Sequence, residues 1–231
     1  SEDHIHWTRL EPEGIVGNLR DSDAMDTHAL NYALQAGADS VDALSEGTDL
    51  LILGEMGIGN TTPASALSAR LLGATVEEMV GPGTGVSGDA LAAKRELVAR
   101  ALERTVDHVE PLDALRSLGG REIAAIVGAM GRAAERGIGV LVDGFIVSSA
   151  ALVAVSMDSR LRDYFWFGHR SAEPGHARIL DALDASPLVD AGLRLGEGSG
   201  ALTALPLVRA ALALHNEMAT FEQASVPNRE Q

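Results

Sequence analysis

The run Asp49-Leu50-Leu51-Ile52-Leu53 constrains this chain most. It is closed at once by the glycine-rich stretch Gly54-Glu55-Met56-Gly57-Ile58-Gly59-Asn60, and Thr61-Thr62-Pro63 then heads a helical pattern. A short unbroken apolar run reads as a strand buried on both faces, which is what a parallel sheet requires. Thr suits an N-cap and Pro the first turn of a helix running to about Leu72. Strand, glycine turn, helix is the repeating unit of α/β folds.

The alternation recurs along the chain. A helix is expected from about Ala24 to Leu44, ended at Glu46-Gly47. Met79-Val80 leads into Gly81-Pro82-Gly83-Thr84-Gly85 and a helix from Asp89 to Thr105. Helices are expected over Leu112–Leu118 and Glu122–Arg136, then a buried strand at Val140–Val142 with Asp143-Gly144-Phe145 at its carboxyl end. Ser148–Met157 reads as a helix, Tyr164–Phe167 as a third strand, His169–Gly175 as a turn and His176–Ala185 as a helix. Leu188–Leu195 reads as a short helix, Gly196–Gly200 as a glycine turn, and Ala201–Met218 as a long helix. The expected fold is α/β: a mostly parallel, Rossmann-like three-layer sheet with helices on both faces, plus a small helical part from the C-terminal segment. Residues 1–23 are expected to be irregular, 24–200 to form the main α/β domain, and 201–231 to join a small helical domain. Leu207–Met218 is apolar enough to pack within the chain or across a dimer.

Aromatics are only 3% of the chain, so the core must be built from Ala, Leu, Val and Ile. A net charge of -15 argues against a nucleic-acid binder, which needs a basic face. It also means that an anionic substrate must be drawn by local dipoles and a few cations. With no cysteine there is no disulfide or thiolate chemistry. No long apolar run marks a membrane span and no signal peptide is visible, so a cytoplasmic protein is the default. Ser1–Trp7 read like the middle of a protein. The His residues show no metal-ligand spacing, and no metal or cofactor is expected.

Ligands in such sheets bind beyond the carboxyl ends of the strands, where Gly54–Thr62, Asp143–Phe145 and His169–Gly175 are expected to converge. The glycines let amides approach a phosphate, with Thr61 and Thr62 as hydroxyl donors; the alternative is a plain strand-to-helix turn. The segment is not a P-loop, because no Lys follows Gly59. It is not a full dinucleotide fingerprint, because position 62 is Thr. Lys94 either reaches back to an anion or is a solvated helix lysine. Asp143 either holds ribose hydroxyls or a metal, or simply forms the turn before Gly144. Ser171 either donates to phosphate or caps the next helix, and Arg170 can pair with a carboxylate. In Arg194-Leu195-Gly196-Glu197-Gly198-Ser199-Gly200, Glu197 is either a general base raised by apolar neighbours or a carboxylate at a helix N-terminus.

Taken together, these segments resemble a known family. Gly54–Ala64, Asp143–Phe145 with Ser149–Leu152, His169–Gly175, Arg194–Gly200 and Asn216–Phe221 are similar, in order, to the signatures of nicotinate-nucleotide–dimethylbenzimidazole phosphoribosyltransferases. The similarity runs from about Ala24 to Val226. It implies transfer of a phosphoribosyl group from nicotinate mononucleotide to 5,6-dimethylbenzimidazole in cobalamin synthesis. It implies Glu197 as general base and Glu55 as a second active-site glutamate. It implies contacts to the nucleotide from Gly57, Gly59, Asn60, Thr61, Thr62, Lys94, Asp143, Ser171 and Leu195. It also implies a cytoplasmic homodimer with small-molecule substrates, and a further N-terminal portion carrying part of the benzimidazole pocket. The alternatives are a non-catalytic nucleotide-binding relative and an NAD-dependent oxidoreductase, for which Glu77 or Glu78 would hold the ribose.

Overall fold

The computed structural model describes residues 17–83, 85, 87–194 and 196–225. The fold is α/β. Strands β1 (Leu50–Leu53), β2 (Gly139–Val142) and β3 (Phe165–Phe167) form a parallel sheet in that order, with Leu53 opposite Val142 and Val142 opposite Phe167. The central strand β2 is buried along its whole length.

Helices cover both faces. On one face lie α1 (Thr27–Asp42), α2 (Thr61–Leu72), α5 (Pro111–Leu118), α6 (Arg121–Glu135) and α7 (Phe145–Met157). α1 runs along α6, and α2 packs on α7. α7 is apolar all round, as a helix in the middle of a core must be: its first ten residues, Phe145 to Ala154, are all buried. On the other face, Ala201 and Ala204 of α9 (Ser199–Glu217) pack against Leu141, Leu50 and Ile52. Alanines allow this close approach, and they stand in for the bulky aromatics that the composition lacks. Among the described residues, no helix is long and apolar enough to cross a membrane.

Four local expectations differ from the structure. The chain around Met79-Val80 is a short helix, α3 (Val76–Met79), because Thr75 and Glu78 form a capping box. That box uses the Glu78 side chain, and Glu77 sits in the same first turn, so neither is at a strand end where ribose hydroxyls are held. His169–Gly175 is not one turn: β4 (His169–Ser171) precedes α8 (Pro174–Ala182). Leu188–Leu195 is not helical: β5 (Val189–Leu193) pairs in parallel with β4, and Gly192 (φ 64°) breaks the helical pattern. The N-cap of α2 is Asn60, which leaves Thr61 and Thr62 inside the first turn.

Ahead of α1, Asp23 ties three elements together. It accepts hydrogen bonds from Ser117 Oγ (2.7 Å) and Arg104 Nη1 (2.7 Å), and it pairs with Arg116. Arg104 ends the helix α4 (Gly88–Arg104). Burial alone would raise the Asp23 carboxyl, but the hydrogen bonds from Ser117, Arg104 and Arg116, with the Arg116 charge, hold it well below the ordinary 3.8. A carboxyl depressed on folding stabilises the fold above its unfolded value, and that stability is lost as pH falls through the folded value. Asp23→Ala should therefore cost about 2 kcal/mol at neutral pH, and the difference from wild type should shrink below pH 3.8. Urea midpoints that differ equally at both pH values would show that the charge is not what stabilises.

Candidate active site

A cavity of about 470 Å³ opens beyond the carboxyl ends of β1 and β2. Its wall includes Glu55, Gly57, Asn60 and Thr61 from the turn after β1, and Asp143 with the first turn of α7 from the end of β2. Gly83 and Gly85, Ser171, Glu173, Arg194 and Gly196 complete it. Sites of small polar ligands fall in about this size range.

The three segments expected to converge do so. Each contributes to the same wall, because parallel strands in register end at the same level. The N-termini of α2, α7 and α8 are all represented in the lining, and none of their N-cap residues (Asn60, Gly144, Glu173) makes a side-chain cap bond. First-turn amides carry partial positive charge and suit an anion. In α7 they are those of Phe145, Ile146 and Val147, whereas in α2 and α8 Pro63 and Pro174 have no N–H, and the Thr62 and His176 N–H groups donate to the Gly59 and Glu173 carbonyls. A chain with a charge of -15 can in this way still present a positive end to an anion locally.

Lys94 does not line the cavity; it supports the wall from behind. Its Nζ donates to Thr61 Oγ1 (2.9 Å) and to the Gly81 carbonyl (3.0 Å), so it joins the α2 turn to the Gly81–Gly85 turn. Burial lowers its pKa and the nearby Glu173 charge opposes that shift. Gly59 (φ 92°) and Thr62 also stand outside the lining. Thr62 N–H donates to the Gly59 carbonyl (3.0 Å), which makes both part of the turn's frame. Leu195 and Thr84 lie outside the described residues.

Glu55 is held by its own turn. Its Oε2 accepts from Gly57 N–H (3.0 Å) and from the Asn60 side-chain amide. Ser171 is positioned by His176, whose Nδ1 accepts the Ser171 N–H (2.8 Å) while its Nε2 sits 2.9 Å from Ser148 Oγ. Burial, with the charges of His169 and Arg170, pushes His176 down to about 3, so the ring is neutral with its proton on Nε2.

Glu197 is exposed and sits at the tip of the turn before α9, with φ 61°. Its side chain is not in the cavity wall, but its neighbour Gly196 is. Its N–H donates to the Glu55 carbonyl (3.0 Å), so the two glutamate-bearing turns are joined main chain to main chain. Gly54 is what allows this: a Cβ there would lie 2.1 Å from Gly198 N and 2.4 Å from Glu197 C.

Residue types point to the His169–Gly175 and Arg194–Gly200 segments but give Glu173 and Gly196 no role. Glu173 is nearly buried, with Oε2 unpaired and Oε1 4.0 Å from Arg194 Nη1. Its sole sequence signal is an acidic residue directly before Pro174, the N-cap position of α8.

A family profile described as phosphoribosyltransferase matches residues 13–226. Nicotinate-nucleotide–dimethylbenzimidazole phosphoribosyltransferase from Pseudomonas syringae pv. syringae is 52% identical over 93% of this chain and 62% of its own. The enzyme of that name from Xanthomonas axonopodis pv. citri is 52% identical over 90% of this chain and 60% of its own. The crystal structure of CobT from Thermus thermophilus superposes with a TM-score of 0.87 at 46% identity, over 93% of this chain and 64% of that one. The chain thus spans less than two thirds of the length of these relatives.

Proposed function

Since this chain belongs to the phosphoribosyltransferase family, we propose that it moves the phosphoribosyl group of nicotinate mononucleotide onto 5,6-dimethylbenzimidazole or a related base. The products are α-ribazole 5′-phosphate and nicotinate, in assembly of the cobalamin nucleotide loop. One observation carries the reading: a cavity walled by uncapped helix N-termini beside two glutamate-bearing turns that are bonded to each other. The relatives of that name supply the substrates.

In this reading the 5′-phosphate rests on the first-turn amides of α7 and on the amide and hydroxyl of Thr61, with Gly57, Gly59, Asn60 and Thr62 shaping the turn and Lys94 adding positive charge behind it. Ser171 donates from the opposite wall. Nicotinate is a cationic pyridinium while bound to ribose. When the C1′–N bond breaks, its electron pair returns to the ring nitrogen, and the group leaves without needing a proton. A benzimidazole nitrogen attacks C1′ from the opposite face and inverts the anomeric centre. The other ring nitrogen's proton goes to the Glu197 carboxylate, with Glu55 as the neighbouring acid group. Residues 24–200 serve as the catalytic domain and 201–231 join a small helical domain. A cytoplasmic homodimer is the proposed setting, supported by Leu207, Leu212, Leu214 and Met218, which are left exposed along α9 and at its end.

Calorimetric titration tests the reading. The chain should bind nicotinate mononucleotide, and Lys94→Met should weaken that binding about fivefold, because its charge acts from behind the wall and its bonds hold Thr61 and the Gly81 carbonyl in place. Adding benzimidazole should then release nicotinate. Tight binding of NAD with no heat from the mononucleotide would overturn the reading, and binding without nicotinate release would point to a non-catalytic nucleotide binder.

A further inference from the structure

α9 begins without a cap of its own. Its N-cap residue is Gly198, which has no side chain to offer, and its N3 residue is Ala201. A capping box needs two acceptors here, one for the N3 amide and one for the N-cap amide. Asp143 supplies both from the end of β2. Its Oδ1 accepts the Ala201 N–H (2.8 Å) and its Oδ2 accepts the Gly198 N–H (3.1 Å). The carboxylate is 2% exposed, so these are charge-assisted bonds in a dry setting, aimed at the positive end of a 19-residue helix. Gly200 makes room for the arrangement: a Cβ there would lie 2.6 Å from Asp143 Oδ1 and 2.2 Å from His169 Nδ1.

We infer that Asp143 is a positioning residue, a capping box supplied from a distant strand that fixes the turn carrying Glu197, whose neighbour Gly196 lines the cavity. The role assigned to Glu197 rests on the proposed phosphoribosyl transfer. Glu197 is a non-glycine residue at φ 61°, a conformation that costs about 1 kcal/mol and persists only where its surroundings over-determine it. The Gly198 N–H bond to Asp143 on one side, and the Glu197 N–H bond to Glu55 on the other, are those surroundings. This differs from reading Asp143 as a ribose ligand, in which its loss would be felt first in nucleotide affinity.

Asp143→Asn keeps the shape but turns one acceptor into a donor that faces an N–H. Amide hydrogen exchange read by NMR should speed about tenfold or more at Gly198 and Ala201, with β2 and the middle of α7 unchanged. In the transfer assay kcat should fall about thirtyfold while KM for nicotinate mononucleotide stays within about threefold. Gly200→Ala presses on the same clamp while leaving the carboxylate's charge in place and should give the same split. Unchanged exchange at Gly198 and Ala201 would overturn the inference. So would a KM that rises tenfold with kcat kept, which marks a substrate ligand. If the wild-type chain releases no nicotinate at all, the transfer reading fails, and the exchange data alone then decide the clamp.

Discussion

Glu197→Gln should slow nicotinate release on the order of a hundredfold or more, with nicotinate mononucleotide affinity nearly kept. The expectation has a geometric and a chemical part. Glu197 is exposed at the tip of its turn, and the turn is held by main-chain bonds, so an isosteric amide leaves the frame intact. In the proposed transfer, what the amide loses is the capacity to take the proton that the acceptor base sheds as it attacks C1′. A positioned base is worth about two to four orders of magnitude in rate. In the proposed reading the nucleotide rests instead on helix N-termini with the Lys94 charge behind Thr61, which the substitution does not touch. Single-turnover measurement separates the two effects. A variant with wild-type turnover would remove Glu197 from the chemistry, and one that merely loses affinity would recast it as a binding residue.

The second large effect is expected at Gly54. Its missing Cβ leaves the space that Gly198 N and Glu197 C occupy, at 2.1 and 2.4 Å from where a methyl would be built. Both obstacles are backbone, so no rotamer relieves the clash. Either the end of β1 or the start of α9 must move. Gly54→Ala should cost about 2–3 kcal/mol, the range of core overpacking. It should also break the Glu197–Glu55 main-chain bond, and a shift of about 1 Å at a catalytic group can cost a hundredfold in rate. Denaturation and turnover measured together provide the check. A variant as stable and active as wild type would mean that the two turns are not in the contact described.

Much of this is legible in the sequence because short apolar runs ended by glycine have few other uses. Leu50–Leu53 and Val140–Val142 declare themselves as strands, and the glycines that follow mark the ligand edge. β4 and β5 do not declare themselves. His-Arg-Ser and Val-Asp-Ala-Gly-Leu carry too few apolar residues to show a period, and they pair through backbone that any sequence owns. The cap on α2 falls one residue ahead of the expected Thr61, because Asn60 takes the position in an αR conformation without a side-chain bond. The partners of Asp143 are hidden for a similar reason: they are amides 55 and 58 residues away, and an N–H leaves no trace in composition. Lys94 reads as a cation near the turn, but its place behind Thr61 requires the fold.

The bond between Glu197 N–H and the Glu55 carbonyl has an evolutionary consequence. The two glutamates stand on neighbouring turns whose junction uses neither side chain. A point mutation at position 197 can therefore exchange the side chain while the scaffold beneath it stays put, whereas one at position 55 also removes the acceptor of the Gly57 N–H and the Asn60 amide. The heritable part of this site is the pairing of two loops, guarded by Gly54. The acid at position 197 is an interchangeable fitting on it, and descendants of such a chain can try new side chains there one codon at a time.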